Sequence, residues 1–344
     1  MNQIGLIADP CFLDHVTPDF HPEHPDRLRA IHGMLKESGM QGRLALLPPR
    51  EAAPEEICSV HTSSYFEQIE QSRDCAHQSL DPDTHLSGET YRVAKLAAGG
   101  LLVLVDALFS GEIRSGFALV RPPGHHAEAG HGMGFCIYNN VAIAARYAQR
   151  KGLARRILIV DWDLHHGNGT QHAFEADPSV LYFSSHMYPY YPGTGRMEEV
   201  GRGDGAGFTV NVPLPGGQGD QDYLWIYDKL LIQLAEQFRP ELVLVSAGFD
   251  IYSGDPLGTM RVTEQGFGRL TALLRALAER VCEARLLLTL EGGYHVEGQA
   301  RSVREVLEVL NGRAADGPPA QAPSSTIEAI FQRLREVHKP YWRL

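Results

Sequence analysis

With 344 residues, 43% hydrophobic and 21% charged, the chain has ordinary globular composition and enough apolar material for a sizeable core without a disulfide scaffold. A formal net charge of −11 disfavours affinity built on nucleic-acid phosphates and is compatible with a cationic substrate. Cys11, Cys58, Cys75, Cys136 and Cys282 are scattered without a C-x-x-C pair, which argues against a zinc ribbon and for a reducing compartment.

In chain order, the N-terminal MNQIGLIADP lacks the basic and long apolar regions of a signal peptide, and every apolar run is too short to cross a bilayer. The expectation is a cytoplasmic protein with no membrane partner. Short apolar runs at 4–8, 116–120, 156–160, 180–184, 208–212, 242–246 and 286–290 predict strands buried on both faces. Helical spacing recurs at about 90–110, 139–150, 221–238, 263–281 and 326–338, the fourth opening on Thr263 and Glu264. Strands alternating with helices predict a largely parallel sheet covered by helices. The Ala/Pro/Gly-rich stretch 311–325 reads as a loop before a final helix. Too little chain follows it for a second domain, so residues 1–344 read as one domain with a core over about 4–312.

Four of the predicted strands lead directly into polar loops. RILIV runs into DWDLHHGNG, GFALV into RPPGHHA, LVLVS into AGFD and LLLTL into EGGYH. In open parallel sheets, ligands bind outside the C-terminal strand ends, so these loops describe one assembled site. Asp163 and His165, two residues apart at a strand end, point to the same side and could meet one ion, with Asp250 as third ligand. Three protein ligands with an open position suit a catalytic zinc, and the oxygen-rich set also suits Fe(II) or Co(II). Asp161 is better placed to orient a histidine than to bind the metal. The adjacent His125 and His126, after the rigid Pro122-Pro123-Gly124 turn, could flank a reacting water as base and acid. Tyr294, after two glycines that permit close backbone approach, could donate to an oxyanion.

HPEHPDRL (21–28), RPPGHHA (121–127), GFCIYNN (134–140), VDWDLHHGNGTQ (160–171), SAGFD (246–250), GDPLG (254–258) and EGGY (291–294) occur in that order. With them the chain resembles the zinc-dependent histone deacetylases and the bacterial histone-deacetylase-like amidohydrolases, nearest the class II branch. The resemblance implies a single-domain arginase/deacetylase α/β fold, an eight-stranded parallel sheet with helices on both faces. It makes Asp163, His165 and Asp250 the zinc ligands, His125 and His126 the proton-transfer pair, and Tyr294 the carbonyl-polarising residue. It places Asp161 against His125 and Asn168 behind His126, where a neutral partner should leave His126 less basic than an aspartate would.

The resemblance also implies an acyl-lysine tunnel with Gly134 and Phe135 on one wall. The opposite wall, usually phenylalanine, is Tyr191 here. Pro123, Leu257 and Gly293 complete the implied substrate-binding set, and Leu257 stands where polyamine-selective relatives carry glutamate. Two potassium sites are implied, one at Asp161, Asp163, His165, Ser184 and Ser185, the other at Phe174, Asp177, Val180 and Phe208. The implied activity removes acetyl or another short acyl group from the ε-amine of lysine or a related primary amine. The implied partner is accordingly an acylated lysine side chain or a small acylated amine, and a homo-oligomer is left open. The rivals are an acetylpolyamine deacetylase, a two-manganese ureohydrolase and a non-catalytic acyl-lysine binder.

Overall fold

The computed structural model describes residues 3–317 and 322–344. Part of the 311–325 loop therefore lies outside the described residues. Ten strands occur among them: β1 (Gln3–Ile7), β2 (Leu44–Leu46), β3 (His77–Ser79), β4 (His85–Ser87), β5 (Ile113–Ala118), β6 (Ile157–Asp161), β7 (Val180–Met187), β8 (Thr209–Leu214), β9 (Leu242–Ala247) and β10 (Leu286–Leu290). Eight form one parallel sheet in the order β2-β1-β5-β10-β9-β6-β7-β8, while β3 and β4 pair as a separate antiparallel ribbon. The expected α/β class and eight-stranded parallel sheet are what the chain adopts.

Every residue of β6, β7, β9 and β10 is buried. Helices on both faces demand apolar side chains on both, which is why these strands read as unbroken apolar runs rather than alternating ones. Each of the seven predicted runs lies on a strand, displaced by no more than a few residues. β2 was not predicted, since three edge residues carry too little pattern to register.

The predicted helices occur at Thr90–Phe109, Asn140–Arg150, Glu264–Val281 and Ser325–His338. Their N-caps include Asn139, Thr263 and Ser324, each accepting a backbone N–H with its side chain. The segment expected to be helical over 221–238 is three consecutive pieces, with a π-helical turn at Tyr227–Leu231 between α-helical ends. Asp26–Glu37, Ser63–Gln71, Asn168–Phe174 and Val296–Leu310 are helices that the sequence reading did not single out. The last is capped by His295, whose Nδ1 accepts the Gly298 N–H at 3.0 Å. Histidine is not one of the usual capping residues, so the ordinary start signal was missing.

The C-terminal helix is docked on the body through Phe331, whose ring meets that of Trp225 at 4.7 Å, edge to face. Trp342 beyond it donates to the Gly207 carbonyl at 2.7 Å. Among the described residues no helix is long and apolar enough to cross a membrane.

Sheet order is what builds the site. The four strands that lead into polar loops, β5, β10, β9 and β6, are consecutive neighbours. Because all run parallel, their C-terminal ends open on one edge and bring the loops together.

Candidate active site

Asp161 closes β6 directly opposite Ser184 of β7 and Ser246 of β9. The loops beyond are stitched together where Leu164 donates its N–H to Asp250 Oδ1 at 2.8 Å. Asp163, His165 and Asp250 are buried with their ligating atoms within 4.8 Å of one another. His165 Nδ1 lies 3.1 Å from an oxygen of each carboxylate. Asp163 Oδ2 accepts the Gly292 N–H at 2.9 Å, whereas the buried Asp250 Oδ2 has no polar neighbour but His165 Nδ1, at 3.1 Å. A side chain at Gly292 would be driven into both carboxylates.

Two buried carboxylates and one imidazole turned inward cannot satisfy one another, and a cation is what such a set is suited to hold. The electrostatics carry the same strain. Burial, then the charge of Asp163, pushes the Asp250 carboxyl up to about 7. Burial alone would lower His165, but the two aspartates outweigh it and raise it to about 9. The donor set fits a single divalent ion such as zinc.

His125 and His126 stand side by side with ring centroids 4.0 Å apart. Nδ1 of His125 is 3.1 Å from Asp161 Oδ2, an oxygen that also accepts the Tyr182 hydroxyl at 3.0 Å. Nδ1 of His126 is 2.7 Å from Asn168 Oδ1. Burial disfavours charge on both rings. Asp163 and Asp161 overcome it at His125, which is raised to about 10. At His126, burial followed by the His125 charge drives the value well below the ordinary one. Environments that push a titratable pair apart in this way suit one member to carry a proton and the other to take one.

Tyr294 is held from two sides that sequence reasoning did not name. Asp255 accepts its backbone N–H at 2.7 Å. Arg27 lies over its ring at 5.0 Å and donates to the carbonyls of Gly293 and Glu291 at 2.6 and 2.5 Å. Gly293 takes φ 118°, a region few other residues enter, and this turns the tyrosine back over the site. Glu291 in turn accepts the Gly124 and His125 N–H groups at 2.7 and 3.2 Å. Glu23 grips Arg121 with both oxygens at 2.5 and 2.7 Å and accepts from Arg27 at 3.0 Å, all fully buried. Removing one member of such a network typically costs about 3–5 kcal/mol, because the others are left charged and unpaired. Arg27, Asp255 and Glu291 all lie inside the quoted motifs, but their roles depend on partners far away in sequence.

A cavity of about 320 Å³ opens over these groups. His126, His165, Tyr294, Gly134, Phe135, Tyr191 and Leu257 line it, as do His21, Pro22, Asp83 and Tyr190, which were not expected. Pro123 and Gly293, also implied for substrate binding, are buried and lie directly before the Gly124-His125 and Tyr294 backbone rather than on the cavity lining. Tyr191 stands edge-on to His126 at 5.2 Å and 86°. The Tyr190 hydroxyl donates to the Leu257 carbonyl at 2.8 Å and closes one side.

At the first implied potassium position, the Ser184 hydroxyl meets His186 Nδ1 and the Ser185 hydroxyl meets that of Tyr227, each at 2.9 Å. At the second, the Phe174, Asp177 and Phe208 carbonyls accept the N–H groups of Asp177, Val180 and Tyr182, in that order. Each carbonyl keeps a second lone pair.

Residues 21–310 match the family described as histone deacetylase domain. The chain is 43% identical to histone deacetylase 15 of Arabidopsis thaliana, over 90% of this chain and 56% of that protein. It is 43% identical to polyamine deacetylase HDAC10 of Homo sapiens, over 95% of this chain and 50% of that protein. A probable deacetylase of Archaeoglobus fulgidus is 39% identical over 86% of this chain and 82% of its own length. The chain thus spans about half the length of the first two relatives. The crystal structure of the HDA15 HD domain superposes with a TM-score of 0.93 at 39% identity, covering 99% of this chain and 96% of that one.

Proposed function

Because the chain belongs to the histone deacetylase family, we propose that it is a zinc-dependent deacetylase that hydrolyses the amide between a short acyl group and the ε-amine of lysine or a related primary amine. One observation carries this reading: the buried Asp163, His165 and Asp250 set meets the cavity beside His126 and Tyr294. A zinc ion held by that set supplies Lewis-acid polarisation of the acyl carbonyl and a water acidic enough to ionise near neutral pH.

The chain's own groups do the rest. The cavity walls of Phe135 and Tyr191 orient the extended acyl-amine and exclude bulk water. His126, kept neutral, takes the proton of the attacking water. The Tyr294 hydroxyl donates to the developing oxyanion, which strengthens as charge accumulates. A protonated imidazole of the pair then delivers its proton to the departing nitrogen, so acetate and a free amine leave. The same reading assigns potassium ions to the Asp161/Ser184 and Phe174/Phe208 positions.

A second reading, an acetylpolyamine deacetylase, is favoured by the 43% identity to a human protein named for that activity. Leu257 speaks for acyl-lysine, because that position offers the far end of a polycation no carboxylate, although Asp83 lies on the same lining. Turnover of a fluorogenic acetyl-lysine peptide and of acetylspermidine by the zinc-loaded protein separates the two. The expected result is faster peptide hydrolysis, abolished by a chelator and restored by zinc. Faster acetylspermidine hydrolysis selects the second reading, and hydrolysis of neither overturns both.

A further inference from the structure

We infer that Glu128 is a positioning residue that locks the Asn168 amide, and through it His126, in one hydrogen-bonding polarity. A line of contacts runs outward from the cavity. Asn168 Oδ1 lies 2.7 Å from His126 Nδ1. The other end of the same amide, Nδ2, donates to Glu128 Oε1 at 2.5 Å. His172, on the protein surface, meets that oxygen through Nδ1 at 2.8 Å.

The polarity follows from donor and acceptor chemistry. An ionised carboxylate only accepts, so Glu128 admits only the NH2 end of Asn168. The amide oxygen is thereby turned to His126, and only a protonated Nδ1 can meet it. Neutral His126 must then carry its lone pair on Nε2. An asparagine without such a neighbour has no preference. Reversed, it would offer N–H to Nδ1 and select the opposite tautomer. The remaining contacts of Asn168 Nδ2, 3.4 Å to the His126 carbonyl and 3.5 Å to Met133 Sδ, are too long or too weak to set the amide.

Glu128 is ionised where it stands. Burial would raise its carboxyl, but the hydrogen bonds from His172 and Asn168 outweigh burial, and His131 also faces it. Its side chain is 14% exposed, shielded but within reach of His172. The negative charge that a neutral asparagine was expected to deny His126 is therefore present, one residue further out.

The kinetic arm of the test rests on the deacetylase reading, whereas the spectroscopic arm does not. Nitrogen-15 NMR of histidine-labelled, zinc-loaded full chain reports the tautomer of His126. Wild type should show the proton on Nδ1. Glu128→Lys presents a donor to Asn168, so it should reverse the amide and move the proton to Nε2. Glu128→Leu, safer for folding, should give a mixture. Both should lower kcat about 10- to 100-fold, the usual cost of losing an outer partner, with KM unchanged. Adding Asn168→Asp to either variant should restore the tautomer and recover part of the lost kcat, because a carboxylate at 168 accepts from Nδ1 without needing a lock while also making His126 more basic. A purely structural Glu128 predicts no such rescue. An unchanged tautomer in both single variants, or an absent rescue, overturns the proposal. If wild type hydrolyses neither substrate, the deacetylase reading falls while the tautomer result still decides the lock.

Discussion

One carboxylate oxygen of Asp255 accepts the backbone N–H of Tyr294 at 2.7 Å and that of His295 at 3.0 Å, across a sequence separation of 39 and 40. Its other oxygen accepts the Leu257 N–H at 2.9 Å. The orientation of the phenol is thus set from the GDPLG loop. Asp255→Ala should leave buried donors unpaired, a cost of about 1–3 kcal/mol in stability. Misplacing Tyr294 should also lower kcat about 10²-fold with KM unchanged. Thermal melts with steady-state kinetics check both, and loss of zinc with the tyrosine still in place would assign Asp255 to the metal instead.

Tyr294→Phe removes one hydroxyl and nothing that holds the fold or the ion. The expected loss in kcat is about 10²–10³-fold, the usual effect of removing one oxyanion donor. Zinc content, measured by atomic absorption, should not change. Wild-type turnover in this variant would remove Tyr294 from the chemistry.

Asp250→Asn takes away one of three converging ligands and should lower zinc content well below one ion per chain. In wild type, metal should protect against unfolding by about 2.7 kcal/mol at a free zinc concentration near 100 times its Kd. Titration calorimetry and melting with and without chelator measure both effects. Unchanged zinc affinity in the variant would sink the three-ligand assignment.

His338 is fully buried in the C-terminal helix, and neither ring nitrogen has a hydrogen-bond partner. Burial lowers it from 6.5 to about 4. The unfolded chain therefore takes up a proton between those values while the folded one does not, so His338 destabilises progressively as pH falls from 6.5 towards 4. His338→Leu should raise the melting temperature and flatten its pH dependence across that window. Parallel dependence in variant and wild type would contradict this.

The positions of the main strands along the chain and the identity of the chemical groups were legible in the sequence for definite reasons. RILIV, LVLVS and LLLTL must be apolar throughout because helices cover both faces of the sheet. Asp161, Asp163, His165 and Asp250 stand out because charges directly beyond such strands demand partners. The Val296–Leu310 helix was hidden by its histidine cap, and Tyr191 was legible as a departure but not as a ring set edge-on to His126.

What only the tertiary structure decided is which ordinary residues serve the site. Arg27 reaches the Glu291 carbonyl across a separation of 264, and Glu128 reaches Asn168 across 40. In sequence each is one arginine or one glutamate among many. Hydrogen bonds act over about 3 Å and depend on direction, so only the folded chain determines which end of an amide faces His126.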